Sequence, residues 1–408
     1  MKRSLIVVWF TILSFCVISF QTNLLGPLAP DVKSGFHLSL ALTGMLPFSF
    51  FIAYGVMSIP AGYLAETFNP KIVAVGAFVT IILGTLLFVF YPNFIDFALS
   101  LFIVGAGMAM LQVVINPLLR TAGGEEKYSF YLVLAQLLAG FASFISPFVY
   151  SYFVLHPRIF AHLVPAKLPW ISVYWICGLI AIGMLLLVVL LKFPREDSAD
   201  EKLESFKTMM KLFSNPTIIM FFFGIFAYVG TEQGISVWIS KFLSTYHGMN
   251  PHTVGAHDVA LFWGVMTAGG LLGLILLKLI DVQIVLASFV VCAIVTLGFA
   301  LFGSAEVSLF AFPICGFFLS VMYPGVYSLG LNSVAKHHGS VAGIFCTAII
   351  GGAVVAFLIG YLGDLFGLRV GMMLNFVTLF YMLYLACFAK PLVRNETIWG
   401  QVSTTDKP

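Results

Sequence analysis

The sequence predicts an all-α membrane protein of twelve transmembrane helices in two six-helix halves, and three observations carry that expectation. Of its 408 residues 61% are hydrophobic and 9% charged, where an ordinary soluble domain has about 25% charged residues, so most of the surface must face lipid. Apolar runs long enough to cross a bilayer, which takes about 20 residues, recur twelve times. One charge-rich stretch, KFPREDSADEKLESFKTMMKLFSNP at 192–216, divides those runs six and six.

In the first half the runs lie near 4–29, 41–65, 70–91, 95–119, 128–154 and 170–192. The first follows Lys2-Arg3, but it is too long for the core of a secretory leader and no small-x-small cleavage site follows it, so it is expected to be retained. In the second half they lie near 217–245, 256–279, 282–303, 306–335, 339–363 and 368–389, with the thinnest separation near Lys278 and Asp281. The chain thus divides into a bundle at 1–194, a solvated linker at 195–215, a second bundle at 216–392 and a tail at 393–408. With both termini inside, fifteen of the twenty basic residues fall on the cytoplasmic side, the bias that sets the orientation of membrane helices.

Composition also excludes classes of function. A net charge of +3 is too small to imply a nucleic-acid partner, and the six cysteines sit in apolar runs without metal-ligand spacing, as small buried hydrophobes do. No HExxH, GxSxG, Walker loop or dinucleotide fingerprint occurs, so neither an enzyme, a metal site nor a cofactor is expected, apart from a coupling proton or sodium ion.

The two halves echo each other. INPLLRTAGG after the fourth run is matched by MYPGVYSLGL after the tenth, with Asn116-Pro117 answering Tyr323-Pro324, and a small-residue-rich helix follows each. Parallel repeats of this kind place a solute site between the halves.

Polar side chains inside the runs mark that site. Gln21, Asn23, Gln112, Asn116 and Gln136 lie in three helices of the first half, with Gln112 and Asn116 four apart on one face. A single intramembrane amide is as readily a bond to a neighbouring helix, whereas five in three helices suit a shared polar lining. In the second half YVGTEQGISVW carries Tyr228, Glu232, Gln233 and Trp238, and Tyr323 and Asn332 follow in the tenth run. Glu232 is the only acid that falls well away from a helix end. A buried carboxylate must be paired, protonated or bound to a cation, so it either ties helices together or serves substrate and ion.

Amides supply donors and acceptors in equal number, and rings pack on pyranose faces, which points to a neutral hydroxylated solute. An anion would require a buried base, and a cationic drug would favour more acids.

MLQVVINPLLRTAGG with LAQ soon after, YVGTEQGISVW, MYPGVYSLGL and AIIGGAVVAFLIGYLGD, in that order and spacing, resemble the fucose–galactose–glucose symporter family of the major facilitator superfamily. The resemblance implies the major facilitator fold, a central sugar cavity and alternating access. It also matches Gln136 to a sugar-binding glutamine and Tyr323 to an aromatic on the opposite wall. The family's proton-handling acids in the first and fourth helices correspond to Asn23 and Gln112, and a site asparagine corresponds to Ala139.

The expectation is therefore a monosaccharide transporter acting as a monomer in the lipid bilayer. Its substrate site would comprise Asn23, Gln112, Asn116, Gln136, Glu232, Gln233, Trp238 and Tyr323, with Glu232 as the coupling group for a proton or sodium. Uncoupled facilitation, export of a drug or metabolite, and a non-transporting membrane sensor remain the alternatives.

Overall fold

The computed structural model describes residues 5–67, 69–123, 128–156, 168–193, 212, 214–333 and 338–389. Twelve of its helices are long and apolar enough to cross a membrane: α1 (Leu5–Gly35), α2 (Leu40–Ala61), α3 (Pro70–Phe90), α4 (Phe94–Ile115), α5 (Leu134–Leu155), α6 (Pro169–Leu190), α7 (Pro216–Ser236), α8 (Pro251–Leu277), α9 (Val282–Phe302), α10 (Ala305–Tyr327), α11 (Ile344–Phe366) and α12 (Leu368–Phe388). All twelve runs read from the sequence are present. The expected linker and tail fall largely outside the described residues.

Short polar side chains fix where several helices start. Asn69 accepts the Lys71 amide at 2.9 Å with Pro70 behind it, and Asn215 does the same for Thr217 before Pro216. Both pair a capping side chain with a proline at the first helical position, where no donor is missed. Asp281 accepts the Gln283 amide at 2.8 Å and so starts α9, which settles the thin separation from α8. Large apolar side chains such as Ile95, Leu190 and Phe310 remain more than two-thirds exposed, as lipid-facing positions require.

Two helices break at corresponding places in the halves. α1 runs Leu5–Thr22, bends at Asn23-Leu24 and resumes over Leu25–Gly35. α7 ends at Ser236, bends at Val237-Trp238 and resumes over Ile239–His247. The two resumed pieces meet across the halves, and a Cβ on Gly26 would stand 2.7 Å from the Ser236 carbonyl oxygen. The halves also pack through α2 along α11, α5 along α8, and the resumed piece of α1 against the start of α8.

Every cross-half hydrogen bond among the described residues lies at one end of the molecule, away from the chain termini, here called the far end. There Asp364 of α11 accepts the Leu40 and Ala41 amides of α2, both at 2.6 Å, and Ser151 of α5 donates to the His252 carbonyl of α8.

One expectation needs correction here. α1 reaches Gly35 rather than 29, and α8 begins at Pro251 rather than 256. Proline is tolerated inside the first, at Pro30, and at the start of the second. The first extension carries Asp31 into a helix and the second moves Asp258 away from a helix end, so Glu232 shares the membrane region with both acids.

Inside the first half, α4 crosses α2 at contact distance because Gly105 lacks a side chain: a Cβ there would collide with the Phe50 carbonyl oxygen. Backbone cannot yield as a side-chain tip can, and overpacking a core costs about 1–3 kcal/mol. Gly105→Val is expected to lower the melting temperature of the purified protein clearly, while Gly183→Ala, with open space around it, leaves it within error.

Candidate solute site between the halves

The acid is framed by rings. Tyr228 and Glu232 lie four residues apart on α7, so they share a face, and the tyrosine hydroxyl lies beside the carboxyl. Tyr228 lies 5.6 Å, centroid to centroid, from Tyr323 of α10, which stacks on Tyr327 at 5.7 Å, and Tyr327 meets Phe345 at 5.6 Å. The row thus runs from α7 across α10 to the start of α11. Glu232 and Tyr323 are half-buried, and no basic side chain is among the described neighbours of Glu232.

Gln233 sits at the crossing of α7, α11 and α2. A Cβ on Gly352 would lie 3.1 Å from its Cγ and 3.3 Å from the Phe51 ring. Trp238 takes a different place: fully buried, it donates from Nε1 to the Ala356 carbonyl at 3.2 Å. Its ring therefore packs α7 against α11, with its one donor already used.

On the other half, the Asn23 amide group donates to Ser19 O at 2.9 Å and to Ser143 Oγ at 2.8 Å, tying the bend of α1 to α5. Its Oδ1 is buried without a partner, an acceptor left free at the bend. Gln136 is exposed on α5, and its surroundings follow from helical geometry. Ser143 and Ser146 face α1, bonding Asn23 and the Phe20 carbonyl, while Gly140 and Phe144 face Thr267 and Gly264 of α8. At about 100° per residue, Gln136 falls between these two faces and away from the lipid-exposed Phe141 and Tyr152.

Gln112 is half-buried on α4 and has partners of its own. Asn116 lies in the continuation of that helix to Gly123, with its side chain outside the described set. Gln21 borders a cavity of about 30 Å³ inside the first half with Thr85, Tyr174 and Cys177, and its buried Nε2 has no protein partner. That space suits about one water molecule.

Of the residues read from the sequence, the structure thus brings Tyr228, Glu232 and Tyr323 together, with Gln233 packed beside them, and it ties Asn23 to the α5 face that carries Ser143. Sequence reasoning passed over Tyr327 and Phe345, which complete the ring row. Their signal was spacing: Tyr327 stands four residues after Tyr323, on the same face.

The sequence profile described as Major Facilitator Superfamily matches residues 11–349. The chain belongs to the major facilitator superfamily. The glucose/galactose transporter of Brucella abortus (biovar 1, strain 9-941) is 28% identical over 377 residues, 91% of each chain. The L-fucose-proton symporter of Escherichia coli (strain K12) is 24% identical, with 86% of each chain covered.

Solved structures share the fold. The Escherichia coli fucose:proton symporter superposes with a TM-score of 0.68 at 23% identity, over 94% of this chain and 98% of that one. An inward-facing bacterial homologue of the human lysosomal transporter Spinster reaches 0.79 at 15% identity, over 94% and 96%. As a member of this superfamily the chain is a multi-pass membrane transporter, not an enzyme.

Proposed function

We propose that this chain carries a neutral monosaccharide, a hexose or deoxyhexose, across the bacterial inner membrane by alternating access in symport with an ion. The observation that carries the reading is the make-up of the two walls: amides on one, and rings around a single acid without a basic neighbour on the other. Such a lining meets hydroxyls with donors and acceptors and leaves no cation to hold an anionic solute. Relatives named for glucose, galactose and fucose agree with it.

In this reading the halves are 1–194 and 216–392. Asn23, Gln112, Asn116 and Gln136 meet the sugar from one side, and Glu232, Gln233 and Tyr323 from the other, with Trp238 bracing α7 behind them. The basic-residue bias puts both termini in the cytoplasm, which makes the far end periplasmic. Its cross-half bonds then describe the state closed to the periplasm.

A melting-temperature screen of the purified chain with glucose, galactose, fucose and a sugar alcohol tests the proposal. Ligand at 100 times its Kd stabilises the folded state by about 2.7 kcal/mol, so one or more monosaccharides should raise the melting temperature and support counterflow in proteoliposomes. Failure of every monosaccharide in both assays would return the reading to an exporter of another solute.

A further inference from the structure

At the far end three titratable side chains from three helices and both halves converge on one point. Asp31 lies on the resumed piece of α1, Tyr150 on α5, and His252 in the first turn of α8. The Tyr150 hydroxyl donates to Asp31 Oδ2. The same oxygen lies 3.4 Å from His252 Nδ1, and that nitrogen is buried with no hydrogen bond of its own. The backbone of His252 is held from both sides: its amide donates to Asn250 Oδ1 at 2.8 Å, and its carbonyl accepts from Ser151.

A ring nitrogen facing a carboxylate oxygen is attracted only if it carries a hydrogen, and the attraction is strongest when the imidazole is fully protonated. The other charged groups on the elements packed around Asp31 are turned elsewhere. Lys33 donates to the Leu38 carbonyl at 2.6 Å, and Lys241 on the resumed piece of α7 lies within reach of Lys33; His247 on that piece meets Ser308 Oγ at 3.1 Å, His257 of α8 lies against the Phe148 ring, and Asp258 of α8 borders a separate groove lined with Leu261, Val265 and Phe310. His252 is thus the only described cation-forming group against Asp31. Both side chains are partly exposed, at 15% and 24%, so water at the far end reaches them.

We propose that Asp31, Tyr150 and His252 form a proton-binding site that latches the halves together at the far end. A proton taken up by the imidazole completes the bridge from α1 and α5 to α8, and its loss releases it. A ligand that binds one conformation better shifts the population toward it, so acid on that side favours closure. Tyr150, itself fully buried, fixes the carboxylate from the first half whichever state His252 is in. The inference rests on the alternating-access reading but not on the identity of the solute.

The test uses the full chain in lipid nanodiscs. Deuterium exchange of the 36–46 segment reports closure, because the Leu40 and Ala41 amides are bonded to Asp364 only when the far end is shut. After correction for the intrinsic effect of pH, protection should be about tenfold higher in acid than in alkaline buffer, a coupling of ordinary size. Asp31→Asn should flatten that dependence while keeping sugar counterflow, and His252→Gln should do the same if Asp31→Asn does not fold. Wild-type pH dependence in a variant that retains counterflow, or none in the wild type, would overturn the latch. Absence of counterflow with every sugar would overturn the solute assignment and leave the exchange result standing.

Discussion

Replacing Glu232 by glutamine is expected to abolish uphill sugar accumulation in proteoliposomes while leaving sugar-for-sugar counterflow within about threefold of the wild type. The two assays separate because counterflow needs only a sugar site that faces both sides in turn, whereas accumulation needs a group that binds the driving ion. Glutamine keeps the length of the side chain and an acceptor oxygen beside the Tyr228 hydroxyl, so the row of rings that frames the site should survive. What it lacks is the ability to lose or gain a charge. A driving force of about 100 mV is worth about 2.3 kcal/mol per charge, which corresponds to a roughly 50-fold sugar gradient at one ion per sugar. In the variant that ratio should fall to about one at any imposed proton or sodium gradient. Varying the two gradients separately on the wild type names the ion. Undiminished accumulation by Glu232→Gln would remove this acid from coupling, and a loss of counterflow as well would show that its negative charge is needed for its contact with the sugar.

The sequence showed the twelve spans and the acid in the seventh because both signals are local. A run of some twenty apolar residues needs no partner to be recognised, and a carboxyl inside one is conspicuous wherever the helix packs. Which side of a helix meets its neighbours was not legible. In a bilayer the lipid face and the packed face are equally apolar, so the periodicity that marks the buried side of a soluble helix is erased. Phe141 and Phe144 illustrate this: three residues apart in the same run, one is mostly exposed and the other packs against Gly264. Trp238 looked like a ring for a sugar face, and the tertiary fold spends its indole on Ala356 instead. The far-end groups were hidden for a related reason. Asp31 and His252, or Leu40 and Asp364, are more than 200 positions apart, and each taken alone reads as an ordinary residue at the end of a span. Only the docking of the two halves gives them partners.

The contact between Asp364 and α2 gives the second large effect. A helix leaves its first four amides without intrahelical acceptors. In α2 the Leu40 and Ala41 amides go to the two oxygens of Asp364, and the Leu42 amide to Ser39 Oγ at 3.1 Å. Two of these three acceptors are supplied by the opposite half, and a carboxylate at a helix N-terminus also meets the positive end of the helix dipole. When the far end opens, the two amides and the carboxylate separate and are taken up by water, so the contact stabilises the closed state alone. Capping interactions of this type are worth about 0.5–2 kcal/mol, enough to change the closed-to-open ratio by about 2- to 30-fold. Asp364→Ala is accordingly expected to loosen protection of the 36–46 segment by that factor without lowering the melting temperature as Gly105→Val does. Sugar applied from the far side should bind more tightly in the same variant, since a larger fraction of molecules presents an open site to it. Asp364→Asn, which keeps one acceptor and loses the charge, should fall between the two. Equal protection in all three proteins would mean that the packing of α2 on α11 holds the far end shut without the carboxylate.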